Sequence, residues 1–239
     1  MSGGPGRGLE PPGTGPQGAT DSLRGIRWGL VGAGLLLAYL AGLAIGLAVR
    51  AAGWWTAGAP WEYAVLAAAH ATVSPALDVV MLTLPWIGTN YTLMPVVALA
   101  VVWLWRRRLR REAVHLLVVQ LGSALLNPAL KFSLVRERPH IYPLRGQFAL
   151  PSFPSGHAIA VTAVVFTAAC LARRRAGVRW PLLVAGAFWV VVMYSRLYLA
   201  VHWPTDVIAG IVVGSIWLAT TLAAFGRDGQ RASLARTDR

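Results

Sequence analysis

Long apolar runs separated by short basic loops set the pattern of this chain. From roughly Ile26 to Val49 the residues are almost continuously apolar, with Arg24 and Arg27 at the start. Further runs cover roughly Leu77 to Trp105, Ala113 to Leu134, Gly156 to Ala172, Trp180 to Tyr198 and Pro204 to Phe225. About 18 to 20 apolar residues suffice to cross a bilayer as a helix. The second run is interrupted by Pro85, Gly88 and Pro95. It reads either as one broken span or as a short interfacial or re-entrant piece, Pro75 to Ile87, followed by a crossing from Asn90 to Trp105. The pattern predicts an all-α polytopic membrane protein with six transmembrane helices.

The two ends read differently. Residues 1–22 hold seven Gly and four Pro and almost no large apolar side chains. Such a segment cannot bury a core and is predicted to be a disordered tail. Residues 23–226 form the six-span domain, and 227–239 a short basic tail. The first run is too long for the apolar centre of a cleaved leader and lies behind the polar tail, so it reads as a retained signal anchor.

Composition sharpens the class. The chain is 56% hydrophobic and 13% charged. The charged fraction is about half that of a typical soluble domain. A net charge of +13 would fit a nucleic-acid partner, but the arginines sit in blocks between apolar runs, as cytoplasmic loop charges do. No nucleic-acid partner is predicted. The single cysteine, Cys170, excludes an intramolecular disulfide and a cysteine-rich metal site.

With six spans the charges sort by side. Arg7, Arg24 and Arg27, the five arginines between 106 and 111, the four between 173 and 179, and Arg227, Arg231, Arg236 and Arg239 fall on one face. The positive-inside bias makes that face, and both termini, cytoplasmic. Of the other six cations, Lys131, Arg136, Arg138, Arg145 and Arg196 lie in or beside three short polar clusters on the opposite, extracytoplasmic face. Trp28, Trp54, Trp55, Trp61, Trp105, Trp180 and Trp203 suit interface belts.

The clusters are Lys131 with Arg138–Pro139, then Pro154–Ser155–Gly156–His157, then Ser195–Arg196 with His202 and Asp206. Each is separated from an inner arginine by 16 to 21 residues, counting Arg111 to Lys131, His157 to Arg173, Arg179 to Arg196 and Asp206 to Arg227. At about 1.5 Å per helical residue that is roughly one hydrocarbon thickness. All three clusters therefore reach the same level.

Their residue types suit phosphoryl transfer. Lys131, Arg138 and Arg196 supply cations and donors for a phosphate. Ser155 and Gly156 fall where the fourth span begins, and a helix N-terminus offers free N–H groups to an anion. Gly156 would let the backbone approach that anion. Pro204 suits the first turn of a helix, which puts His202 just before it and Asp206 within its first turn. The carboxylate can then fix one imidazole nitrogen and leave the other to attack phosphorus. His157 is placed to protonate the leaving oxygen and then to activate water. Arginine and lysine hold the developing charge, so no metal and no cofactor are called for.

Each of these residues also has a plain structural reading. Lys131, Arg138 and Arg196 could anchor helix ends, Ser155 could be an N-cap, and Asp206 could answer a helix dipole. Their coincidence at one level favours function, because ionisable groups at a membrane edge are costly without a task. His70, His115 and His140 match nothing in the pattern, although His140 is close enough in sequence to touch a substrate. Asp78 reads as a helix-start residue. The segment 141–153 reads as a lid or as an ordered loop.

Taken together, Lys131-x6-Arg138-Pro139, Pro154-Ser155-Gly156-His157 and Ser195-Arg196-x5-His202-x3-Asp206 resemble the three-part signature of the type-2 phosphatidic acid phosphatase and vanadium haloperoxidase superfamily, in its membrane lipid phosphatase branch. The resemblance covers roughly residues 60 to 225 and shows no departure from the motif. It implies His202 as nucleophile, Asp206 as its partner, His157 as acid, and phosphate binding by Lys131, Arg138, Ser155, Gly156 and Arg196. It implies a lipid phosphate or diphosphate substrate drawn from the surrounding lipids. Polyprenyl diphosphates such as undecaprenyl diphosphate fit an outward-facing site best, with phosphatidic acid and phosphatidylglycerophosphate as the other candidates. A transporter and a catalytically silent lipid-binding protein are the competing classes. A transporter would place its charges near the midplane rather than at the edge. Nothing in the sequence sets an oligomeric state.

Overall fold

The structure is a computed structural model that describes residues 23–142 and 150–226. Every regular element among them is helical: α1 Trp28–Ala51, α2 Pro60–His70, α3 Pro75–Thr83, α4 Asn90–Arg106, α5 Arg110–Ser133, α6 Gly156–Ala176, α7 Trp180–Tyr198 and α8 Pro204–Ala224. A 3-10 turn, Leu84–Gly88, links α3 to α4, and Val161–Val165 widens to a π-helical turn within α6. The tails 1–22 and 227–239 lie outside the described residues, as does most of the segment read as a lid.

Five helices, α1, α5, α6, α7 and α8, are long and apolar enough to cross a membrane. The second apolar run takes the divided form of its two readings. Helices α2 and α3 with the 3-10 turn are bent by 116° and make no straight span. Helix α4 follows with 17 residues, about 25 Å at the helical rise. Only three residues separate it from α5, so the two lie antiparallel. Local chemistry explains the breaks. Ser74 caps α3 by accepting from the Leu77 amide, and Pro75 takes the first helical position. Pro85 opens the 3-10 turn, and Thr89 caps α4 through the Thr92 amide. Asp78 sits in the first turn of α3, as its position suggested, and also accepts from the Tyr198 hydroxyl at 2.8 Å. Helix α2 was not anticipated, because its eleven residues are too short for a span.

Helix α8 runs through the middle of the bundle and packs most extensively along α1, with α5 and α6 on its other sides. The apolar core is built there from Leu116, Val119, Leu126, Leu130, Ile159, Val213 and Trp217. Small residues set the spacing. A methyl at Gly210 would lie 2.6 Å from the Ser155 carbonyl and the Ala158 Cβ; one at Gly214 would lie 2.9 Å from the Ile159 carbonyl. These two glycines let the first turns of α6 rest directly on α8, a close approach that membrane helices use widely. Trp203 departs from the expected interface belt. It is 2% exposed and packs inside, whereas Trp28, Trp61, Trp105 and Trp180 are exposed.

The two ends of the bundle are chemically unlike. Arg111 donates to the carbonyls of Arg24, Phe225 and Gly226, gathering the start of α1, the start of α5 and the end of α8. Arg175 reaches Glu112 at 3.4 Å, bringing the end of α6 to the same level. The arginine blocks thus share one end, and the three polar clusters lie at the helix ends remote from it.

Gly210→Ala tests the seating of α6 on α8. The overpacking is expected to cost about 1–3 kcal/mol and to lower the thermal unfolding midpoint in detergent. Gly186→Ala, where nothing lies within 4 Å of the added methyl, is expected to leave that midpoint unchanged.

Candidate active site

Three connections converge at the polar end: the stretch after α5, the start of α6, and the turn between α7 and α8. They surround a cavity of about 680 Å³ lined by Lys131, Arg138, Gly156, His157, Arg196 and His202. Pro85, Trp86, Gly88, Thr89, Asn90 and Tyr91 form a second wall. The two remaining residues of the predicted set, Ser155 and Asp206, are completely buried just behind the lining. All eight are brought together.

His202 sits on the turn before α8, between two unlike environments. Its Nε2 lies 3.5 Å from Arg138 Nη1, on the cavity side. Its Nδ1 lies 3.5 Å from Ser152 Oγ and 3.6 Å from Asp206 Oδ2. One ring nitrogen therefore faces the cations and the other faces a carboxylate. Burial, then the charges of Arg138, Lys131 and Arg196, push the imidazole well below the usual histidine range. His202 is therefore neutral at neutral pH. His157, in the first turn of α6, has both ring nitrogens 3.5 Å from Arg196 Nη1. Each histidine thus has its own guanidinium.

The cations are held by backbone oxygens. Lys131 Nζ donates to the carbonyls of Pro151 and Ser152. Arg138 donates to the Val201 carbonyl at 2.5 Å and to the Leu150 carbonyl at 3.2 Å. Burial lowers Arg138 to about 10, with Asp206 acting against the shift, so it stays charged at neutral pH. Arg196 Nε donates to Ser195 Oγ at 3.1 Å, which gives Ser195 a supporting place.

Two expectations change in detail. Gly156 was expected to open the backbone to an anion. A methyl there would lie 2.7 Å from the Asn127 amide nitrogen, so the glycine is needed first to let Asn127 close on α6. Asp206 was expected to be chiefly the partner of His202. Its hydrogen bonds go elsewhere: Oδ1 accepts from Arg136 Nη1 at 2.8 Å, and Oδ2 accepts from Ser152 Oγ and from the Trp203 amide. The carboxylate is pinned beside the imidazole rather than bonded to it.

Sequence reading missed Asn127, Ser152 and the task of Arg136. Asn127 stands one helical turn before Lys131 and lines the cavity, and its Oδ1 makes no hydrogen bond to any described residue. The buried Ser155 hydroxyl is likewise unmatched, although Ser155 begins the helix. Buried polar atoms without partners are costly. Both atoms therefore suit a polar guest. The spacing of Asn127 to Lys131 was the available signal. The other histidines stay apart: His70 stacks on Tyr142, His115 stacks on Phe225, and His140 is exposed and does not line the cavity.

Helical spans that carry a buried cationic pocket with two histidines define a membrane protein equipped for phosphate chemistry. Comparison with known proteins makes the class specific. Residues 112–229 match the PAP2 superfamily. Undecaprenyl-diphosphatase of Sulfolobus acidocaldarius is 30% identical over 148 residues, 60% of this chain and 68% of that protein. Phosphatidylglycerophosphatase B of Bacillus subtilis is 30% identical over 158 residues, 64% of this chain and 77% of that protein. The crystal structure of a transmembrane PAP2 type phosphatidylglycerolphosphate phosphatase from Bacillus subtilis superposes with a TM-score of 0.68 at 26% identity, covering 79% of this chain and 94% of that one. The chain belongs to the PAP2 superfamily.

The His202 environment yields a measurable consequence. Histidine-selective NMR in detergent is expected to place its titration midpoint below 6.5. Arg138→Ala, which removes the largest charge acting on the ring, is expected to raise that midpoint. An unchanged midpoint would show that the guanidinium does not act on the ring.

Proposed function

We propose that this protein hydrolyses the terminal phosphate of a lipid phosphate or diphosphate through a phosphohistidine at His202. Membership of the superfamily, with relatives such as those above, makes it a membrane lipid phosphatase. The observation that carries the residue roles is the placement of His202 Nε2 at the cationic cavity, 3.5 Å from Arg138, with its other nitrogen turned to Asp206.

Lys131, Arg138 and Arg196 bind the phosphate oxygens, joined by Ser155, Gly156 and the first N–H groups of α6. His202 Nε2 attacks phosphorus as the bond to the leaving oxygen breaks, and His157 gives that oxygen a proton. The pinned Asp206 carboxylate stabilises the positive charge that develops on the His202 ring. A 3.6 Å separation is loose for a hydrogen bond, but catalytic contacts tighten as charge develops. His157, now neutral, takes a proton from water. The resulting oxygen attacks phosphorus, the P–N bond breaks, and phosphate leaves with His202 restored. The three cations neutralise the charge that builds on phosphorus, so the scheme assigns no step to a metal.

A polyprenyl diphosphate, such as undecaprenyl diphosphate, is the favoured substrate. The undecaprenyl-diphosphatase likeness supports it, as do three cations suited to a highly charged head group. The phosphatidylglycerophosphatase relative keeps a glycerophospholipid phosphate as the second candidate. Both termini are assigned to the cytoplasm and the cavity to the extracytoplasmic face, because the arginine blocks gather at the opposite end. A transporter is disfavoured, since the ionisable groups cluster at one end of the bundle rather than midway along it.

Phosphate release by purified protein over a panel of lipid phosphates and diphosphates in detergent tests the class and ranks the substrates. Activity is expected to survive EDTA and to fall on the order of 10³-fold or more in His202→Ala. Retention of activity in that variant would remove the nucleophile assignment. Topology is read separately. A cysteine at the exposed His140, in a Cys170→Ala background, is expected to react with an impermeant thiol reagent in intact cells. Labelling only after permeabilisation would invert the orientation.

A further inference from the structure

We propose that Glu62 and Arg136 form a positioning clamp that sets the attack geometry of His202 by way of Asp206. The inference rests on the nucleophile assignment above and assigns work to two residues outside the three motif clusters.

The clamp is dry and saturated. Both side chains of the Glu62–Arg136 pair are completely buried. A guanidinium carries five N–H donors, and each of the five in Arg136 has an acceptor. Nη1 donates to Asp206 Oδ1 at 2.8 Å and Thr205 Oγ1 at 2.6 Å. Nη2 donates to the Trp54 carbonyl at 2.7 Å and Glu62 Oε2 at 3.3 Å, and Nε donates to the Trp55 carbonyl at 3.1 Å. The indoles of Trp55 and Trp203 flank the guanidinium at 5.5 and 5.2 Å. Arg136 has no donor left for a phosphate. That separates it from Arg138, two residues on, which lines the cavity.

Glu62 extends the clamp to a second element. Its Oε1 accepts from the Thr205 amide at 3.1 Å and the Thr205 hydroxyl at 2.7 Å, capping the first turn of α8 from outside that helix. Its Oε2 also accepts from the Ala59 amide at the start of α2. Helix α2 is too short to cross a membrane as one straight helix, yet it delivers one buried carboxylate to the base of the His202 turn. The group Glu62–Arg136–Asp206 sets two carboxyl groups and one guanidinium behind the imidazole, opposite the cations in front of it. If Glu62 loses its charge, Arg136 keeps Asp206 as its only carboxylate, and Asp206 is drawn away from His202 Nδ1. The cavity cations Lys131, Arg138 and Arg196 make none of these contacts, so phosphate binding is left intact.

The test uses the purified full-length protein and a lipid phosphate that the wild type hydrolyses. Inorganic phosphate as a competitive inhibitor reports the cationic pocket. Glu62→Gln is expected to lower kcat by about 10- to 100-fold, the scale of a small misplacement of reacting groups. KM and the phosphate inhibition constant are expected to stay within about twofold. A wild-type kcat, or a fall in kcat matched by an equal loss of phosphate affinity, overturns the clamp. Thr205→Val, which removes only the bridging hydroxyl, decides the matter if Glu62→Gln yields no folded protein. It should lower kcat in the same selective way, with Thr205→Ser more active than Thr205→Val, and a wild-type kcat in Thr205→Val overturns the clamp. His202→Ala runs alongside. If it stays active, the nucleophile assignment has failed; if it is inactive while the clamp variants are unaffected, the clamp alone has failed.

Discussion

Crowding of like charge at the membrane edge is the constraint on which the rest of this structure depends. Lys131, Arg138 and Arg196 face one cavity, and Lys131 and Arg196 are each only 4% exposed. Taking such groups out of water is costly, and their mutual repulsion adds to the cost. The fold offsets this with oxygen. Carbonyls of residues 150 to 152 close on Lys131 and Arg138, and the Val201 carbonyl closes on Arg138 from the other side. These oxygens are neutral dipoles, so they satisfy donors without cancelling the charge. The result is a pocket that remains electropositive while its cations are hydrogen-bonded, an environment that favours an anion over water.

That arrangement requires the connections to be held closely, and small residues on α8 do it. Gly210 and Gly214 let the start of α6 lie against α8 at backbone distance. The same contact brings the Ser155 amide to the Asp206 carbonyl at 3.0 Å. The turn bearing His157 is therefore fastened to the helix that carries Asp206, four residues after His202. Sequence-distant clusters meet where two helices touch with no side chain on the α8 side at Gly210 and Gly214. Packing in the apolar core and chemistry at the polar end are consequences of one helix contact.

Much of this was legible in the chain. Five of the six apolar runs became helices with ends within a few residues of those read from hydropathy, because a lipid-crossing helix must be continuously apolar. Depth counting from the arginine blocks put the three clusters at one level, and the eight chosen residues do converge. Other features depended on tertiary contacts that no local pattern records. Pro85 and Gly88 signalled a break without deciding between one broken span and a short piece followed by a crossing. Glu62 lies outside the three clusters, and nothing nearby in sequence announced Arg136 as its partner across 74 positions. Ser152 carries a polar side chain that becomes significant only once Asp206 stands beside it, whereas Asn127 was open to a spacing argument from Lys131. Gly156 lines the cavity and also makes room for the Asn127 amide, and only the second role was invisible, since a sequence cannot show what occupies the space a missing side chain leaves.

The broken segment between α2 and α4 explains why the cavity has two characters. Its cationic side comes from the ends of long helices, where charges can reach the membrane surface. The other wall comes from the 3-10 turn and the start of α4, with Pro85, Trp86 and Tyr91 among its residues. Trp86 is 64% exposed and Tyr91 87%, so this wall is open outward and rich in aromatic surface. A straight helix through residues 75 to 106 would satisfy its backbone more simply. Bending the segment instead places loop backbone at the cavity, which membrane proteins tolerate only where it is buried in protein or lines a cavity. A guest with a charged phosphate and an apolar chain has the same two parts in the same order. The proposed substrate class thus draws on both walls, and the distortion of the second apolar run becomes part of how the site is built.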